Sequence, residues 1–363
     1  MERYGRMARV SENDRCAMIA SIFKKNDFTL CHVPVPKGYP QSQTHSGVAL
    51  HDGLFYLTTS PYPSIRRNKF RAYLRAAINK LTFYKLLDNR ASDSFENPCI
   101  YVGLQNGSNP PTHFIPLTTN PLMGTPDSFY GLPSFNSDPD IYIENDDVFV
   151  LNRTVLRRPH HNGGFNFDCR LFLIRGKLID NKYRYMGTTI LLDDVSCGSP
   201  SLTKYGDGYI ILSVSSSCYN SGLTAFSITK MQSKKIDGFN NDSAWEEIAV
   251  EVDGYTPWHL SVFSYQNAHY AIVACVKHGE KQRCWQMLGK FNEDLTGLKI
   301  YKTPLSDYNS YRGSACVTNE GLFILYNTTV HENVKGSKSV DGRDVIMASM
   351  PFNELLGTII SNE

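Results

Sequence analysis

The chain has 363 residues, and its 37 Lys and Arg against 35 Asp and Glu leave a net charge of +2. That balance excludes a protein that lives on phosphate backbones, and 20% charged beside 41% hydrophobic residues excludes wholesale disorder. With 21 Tyr, 19 Phe, 26 Gly and 18 Pro, the composition favours many short strands and turns, a mostly-β globule of one or two domains.

Near the N-terminus, Ala17 to Phe23 is the only run that resembles a signal peptide. It is short, contains Ser21, follows Glu12 and Asp14, and enters Lys24-Lys25 without a small-residue cleavage site, so no leader is expected. Cytoplasmic synthesis follows, and the sequons at Asn106, Asn152, Asn241 and Asn327 then carry no information. No apolar run approaches the ~20 residues of a membrane span. Nine Cys form no C-x-x-C pair, which argues against a zinc ribbon, a redox motif or a dense disulfide framework.

A degenerate repeat organises the rest of the chain. Its five copies are HSGVALHDGLFYLTTS from His45, SDPDIYIENDDVFVLNR from Ser137, GSPSLTKYGDGYIILSV from Gly198, TPWHLSVFSYQNAHYAIVAC from Thr256 and RGSACVTNEGLFILYNT from Arg312. Each opens on a small or polar cluster and runs through a strand. It turns at Asp52-Gly53, Asp146-Asp147, Asp207-Gly208, Gln266-Asn267 or Glu320-Gly321, and returns as an aromatic-aliphatic strand. The tips are about 94, 61, 60 and 53 residues apart, and most gaps fit one four-stranded propeller blade with loops. Runs at 169, 222, 283 and 344 read as outer blade strands. The expected fold is therefore all-β, a five-bladed β-propeller over residues 40–355. Residues 1–39 form an extension that closes or flanks it, and 356–363 a C-terminal tail.

The long first gap holds residues 64–87, where Phe70, Leu74, Ala77, Ile78 and Leu81 follow helical spacing. Seven Lys and Arg with no acid make this a basic helical insertion, packed on the rim with a solvated basic face or docking an acidic protein partner or a membrane surface.

In a propeller the starts of the innermost strands converge on one end of the axis. The candidate ligand-binding residues there are His45, Asp138, Asp140, Ser199, Trp258, His259 and Arg312. A carboxylate and a guanidinium suit sugar hydroxyls, and a Trp face suits a pyranose ring, so carbohydrate is the expected partner.

The second and third repeats resemble the blade motifs of the five-bladed glycoside hydrolases of family 43 type. In that family an Asp-Pro starts the innermost strand of the second blade, and Glu-Gly-Pro or Glu-Ser-Pro that of the third. The resemblance spans roughly residues 40 to 355 and implies an Asp base, a second Asp that tunes the acid, and a Glu general acid. Asp138 stands at the tuning position, and His259 and Arg312 match positions where the family often uses His and Arg. The base position reads His45 and the acid position Gly198. Loss of a general acid or base typically costs about 10²- to 10⁴-fold in rate. Asp194, with Asp138, is the candidate replacement if the chain is an enzyme, although its offset demands a bulge or loop.

The RRPHHNGGFNFD segment at 157 reads as a solvated turn, and no zincin, P-loop, nucleophile-elbow or dinucleotide motif occurs. No metal, cofactor or nucleic acid is expected. The reading is a non-catalytic glycan-binding propeller, with an active glycosidase and a structural assembly protein as alternatives. Incorporation into a phage virion would reconcile glycan contact with the missing leader.

Overall fold

Aromatic-aliphatic runs bounded by acidic turns become strands buried on both faces. The computed structural model describes residues 21–37, 42–61, 96–104, 109–123, 135–159, 165–180, 182–195, 197–217, 225–280, 283–319, 321–329, 332, 334–337, 339 and 343–363. The expected basic helix over 64–87, His160-His161 and Glu320 lie outside these residues.

Strands β2 (Gln43–His51), β3 (Leu54–Pro61), β4 (Cys99–Leu104) and β5 (Phe114–Pro116) form one antiparallel sheet in chain order. Strands β6 (Phe135–Glu144), β7 (Asp147–Pro159), β8 (Phe165–Ile179) and β9 (Lys182–Val195) form the next. An eight-stranded sheet follows. Its first half is β10 (Gly198–Tyr205), β11 (Gly208–Ser217), β12 (Ala225–Ser233) and β13 (Glu246–Glu251). Its second half is β14 (Tyr255–Tyr265), β15 (Ala268–Lys277), β16 (Cys284–Phe291) and β17 (Gly297–Ile300). The halves join where β13 pairs parallel to β17, Val250 opposite Leu298. The last sheet holds β18 (Ser310–Val317), β19 (Leu322–Thr328) and β20 (Val345–Met350). An N-terminal strand, β1 (Thr29–Cys31), completes it beside β20, with Leu30 opposite Ile346.

The opening strands β2, β6, β10, β14 and β18 touch in sequence, and β18 returns to β2, so they close a ring. Period-two alternation then sends each second strand into two cores. On β3, Phe55 and Leu57 pack toward Phe323 and Leu325 of β19, while Tyr56 packs toward Val148 and Val150 of β7. On β11, Ile211 packs toward Leu171 of β8, while Ile210 and Leu212 pack toward Ala271 and Val273 of β15. Ile272 meets Ile324 and closes the circuit. Each of the Val, Leu, Ile and Phe side chains among these contributes about 1.5–3 kcal/mol on burial.

The runs at 169, 222, 283 and 344 are third strands, each with one further strand outside it. The fourth positions fall to β5, β9, β13, β17 and β1. Among these, β5 and β1 have three residues each and β17 four, too few for periodicity to show. At the other end, the helix α1 (Phe352–Asn362) runs through the boundary drawn at 356, because Phe352, Leu355 and Ile359 fall on one face and pack into the core. No helix among the described residues is long and apolar enough to cross a membrane.

Candidate functional site

All five opening strands carry the same irregularity. One extra residue interrupts the ladder between Thr44 and Gly47, Ser137 and Asp140, Gly198 and Ser201, Pro257 and His259, and Ser310 and Arg312. Such bulges re-aim side chains. In the first three, His45 (φ 54°), Asp138 (φ 53°) and Ser199 (φ 46°) are left-handed. For residues other than Gly this costs about 1–3 kcal/mol each, a strain concentrated at functional sites. In the last two, the extra residues are Trp258 and Tyr311.

The bulges bring these side chains together. His45 Nδ1 donates to Asp138 Oδ1 at 2.9 Å and lies 3.0 Å from Glu96 Oε2, and Ser137 Oγ donates to the same Glu96 oxygen. The other Asp138 oxygen lies 2.7 Å from Arg153 Nε, an ion pair, and accepts from the Ser199 backbone N–H at 3.0 Å. Ser199 Oγ is hydrogen-bonded to His259 Nδ1. The His45, His259 and Tyr311 rings are mutual neighbours, with centroids 4.6–5.4 Å apart, and Trp258 lies edge-on to His259.

Burial and charge set the protonation states. Burial pushes the Asp138 carboxyl up, but Arg153 and His45 beside it outweigh that and hold it well below the usual carboxylate range. Burial alone would discharge His45, yet Asp138 and Glu96 raise it above a free imidazole. Burial holds His259 well below one, helped by the cations His45, Arg312 and Arg153 against Asp138. The two imidazoles are therefore pushed in opposite directions, His45 toward its charged form and His259 toward its neutral one.

Asp140 and Arg312 are almost wholly buried and work inside the wall of the ring. Asp140 Oδ2 accepts from Ser201 Oγ at 2.9 Å and Leu202 N–H at 3.0 Å, joining β6 to β10. Arg312 Nη1 donates to the Pro139 carbonyl at 3.3 Å, and Nη2 lies 3.6 Å from Asp140 Oδ1. Burial raises the Asp140 carboxyl, with Arg312 partly offsetting it.

All seven of the expected ligand-binding residues thus lie on opening strands, Trp258 at the bulge of β14. Asp194 does not: it is on β9, the fourth strand of its sheet, three strands from the ring. A Cβ at Gly198 would lie 3.2 Å from the Val214 carbonyl oxygen and 3.7 Å from Arg153 Nη1.

Four participants were not foreseen. Arg153 could have been found by folding SDPDIYIENDDVFVLNR about its tip, which sets it opposite Ser137. Ser137 and Tyr311 adjoin predicted residues and needed the bulge to turn inward. Glu96 follows the first-gap insertion and precedes β4, where no motif marks it.

No protein-family model and no curated protein matches the sequence. Solved structures do. An N-acetylgalactosamine deacetylase from F. plautii is similar at 14% identity over 92% of this chain and 97% of its own, with a TM-score of 0.58. A xylan β-1,4-xylosidase from Bacillus halodurans C-125 is similar at 12% identity over 86% of this chain, TM-score 0.56, and the chain spans about half of it (53%). An α-L-arabinofuranosidase from Lactobacillus brevis is similar at 10% identity over 90% of this chain and 94% of its own, TM-score 0.54. The fold is of the glycoside hydrolase family 43 type. At these identities the likeness speaks for the fold alone, and the chemistry rests on the pocket.

Proposed function

We propose that the chain is a five-bladed, glycan-binding propeller that does not hydrolyse its ligand. Each four-stranded sheet counts as one blade and the eight-stranded sheet as two, joined at β13 and β17. The observation that carries the reading is the state of Asp138. It is fully buried, and both its oxygens are held by His45, Arg153 and Ser199. Held ionised, it has no proton to give a leaving group, and no oxygen free to activate water. The base and acid positions hold His45 and Gly198.

What the mouth offers is a binding surface. Trp258 and Tyr311 are half-buried rings on adjacent bulges, the partly exposed form in which aromatic faces take sugar rings. Arg153 and Glu96 add charge beside them. A ring contact is worth about 0.5–1.5 kcal/mol, so one site binds weakly and several displayed together bind well. The test is a glycan array probed with multimerised protein, wild type beside Trp258→Ala. Binding that falls at least fivefold with the substitution supports the reading, and binding that survives places the contact elsewhere. Absence of binding to any glycan overturns it.

One observation favours a second reading, an active hydrolase. Glu96 Oε2 and Asp138 Oδ1 lie within 3.0 Å of the same His45 nitrogen, so they are at most about 6 Å apart, near the carboxyl spacing of retaining glycosidases.

A further inference from the structure

A second set of polar side chains lies at the hairpin tips. The β2–β3 turn carries Asp52 (φ 47°) just after His51, and the β6–β7 turn carries Asp146 just after Asn145 (φ 53°). Two turns from neighbouring sheets thereby present an imidazole and two carboxylates to one another. His51 Nε2 is 3.5 Å from Asp52 Oδ2 and 3.5 Å from Asp146 Oδ1, and one ligating atom from each residue lies within 4.8 Å of the others.

These spacings are long for hydrogen bonds, which run 2.7–3.2 Å for N–H···O. They are close to the roughly 3.3 Å that separates two ligands on one tetrahedral ion with bonds of about 2.0–2.1 Å. The His51 Nε2 atom is shielded from solvent and has no hydrogen-bond partner. Both carboxylates are largely exposed, which leaves room for water to complete the coordination. A cavity of about 380 Å³ opens over the set, and Lys177 and Asp180 line it as well. The Lys177 ammonium lies 4.0 Å from Asp147, a carboxylate outside the triad.

We propose that His51, Asp52 and Asp146 bind a divalent transition-metal ion that clips the first sheet to the second. An imidazole with two carboxylates suits zinc, cobalt or manganese better than calcium or magnesium, which prefer oxygen alone. The ion holds two turns that no backbone ladder joins, so binding raises stability by mass action. Nothing in the axial pocket takes part, and the proposal stands whether or not that pocket binds glycan.

The experiment is titration of the metal-stripped full chain with Zn²⁺ alone by calorimetry, and with Co²⁺ followed by visible absorbance. Wild type is expected to take one equivalent of each, with Co²⁺ giving a d–d spectrum of nitrogen–oxygen ligation without a thiolate band. His51→Ala, at the end of β2, and Asp146→Asn, on the exposed β6–β7 turn, should each weaken binding at least tenfold and remove the metal-dependent rise in Tm. Binding unchanged in both variants overturns the site, as does a thiolate band or no saturable binding by wild type. Calcium binding as tightly as zinc would overturn the choice of metal.

Discussion

His45 Nδ1 lies 2.9 Å from Asp138 Oδ1, so two left-handed bulge residues on neighbouring opening strands, β2 and β6, meet as an ion pair. The pair is buried where the opening strands meet. Arg153 and Ser199 complete the enclosure, and the aromatic rim is left as the accessible surface.

The imidazole pair predicts a stability optimum near pH 6.5. His45 has a folded pKa above its unfolded 6.5, so its stabilisation is complete below 6.5 and is lost as pH rises through the folded value. His259 is depressed below 6.5. As pH falls below 6.5 the unfolded chain binds a proton that the native state refuses, and stability drops. Asp138, depressed below 3.8, adds a further loss as acid approaches its folded pKa. Urea unfolding across pH 4–9 should show a maximum close to 6.5. His45→Gln should flatten the alkaline limb and make the acid limb shallower without removing it, because burial is the larger cause of the His259 depression and the His45 charge a smaller one. A wild-type curve that rises steadily to pH 9 would contradict the assignment of His45 as charged.

Arg153→Leu should destabilise the fold by about 3–5 kcal/mol, because it leaves the Asp138 charge buried with less than its full complement of partners. Combining it with Asp138→Asn should cost less than the sum of the two single changes, since residues in direct contact couple by about 0.5–3 kcal/mol. Urea midpoints for the four members of the cycle measure this. Strict additivity would mean that the 2.7 Å contact carries no energy.

Much of this architecture was legible in the chain. The acidic and glycine tips and the aromatic-aliphatic returns mark β3, β7, β11, β15 and β19, because strands buried on both faces read as nearly continuous apolar runs. The polar clusters before each tip located the ring. What could not be read was local geometry: a one-residue bulge has no composition of its own, yet it decides that Tyr311 turns inward. Glu96 reaches the pocket only through tertiary folding. Short edge strands such as β17 carry too few residues for a pattern, and α1 carries its apolar face in a span too short to separate from a tail.

The N-terminal strand makes the closure of the ring testable. Leu30 pairs with Ile346, Cys31 and Val33 are buried in the core shared by the first and last sheets, and Phe23 packs against the core beneath α1. These buried side chains, with the β1–β20 ladder, tie the N-terminal segment to the last sheet. Deleting residues 1–34 should lower Tm by more than 10 °C and expose the β20 edge to self-association. Differential scanning calorimetry and light scattering read the two effects. An unchanged Tm would show that the last sheet is complete without β1.

The two readings of the axial pocket separate on Glu96. If the pocket only binds, Glu96 orients His45 and nothing more, and release of nitrophenol from aryl pentosides and hexosides should stay at the background of protein-free buffer. Glu96→Gln should leave that background unchanged while altering the pH profile of stability, because it removes one of the two carboxylates that charge His45. If instead Glu96 and Asp138 act together, wild type should turn over at least one aryl glycoside, and Glu96→Gln should slow it by about 10²- to 10⁴-fold. Asp138→Asn alone cannot decide, since it also breaks the pair with Arg153 and lowers stability. Glu96 lies nearer the surface and its loss leaves Asp138 fully partnered, so a change in rate without a change in fold is readable. Turnover by wild type that disappears with Glu96→Gln would move the protein from the binders to the enzymes.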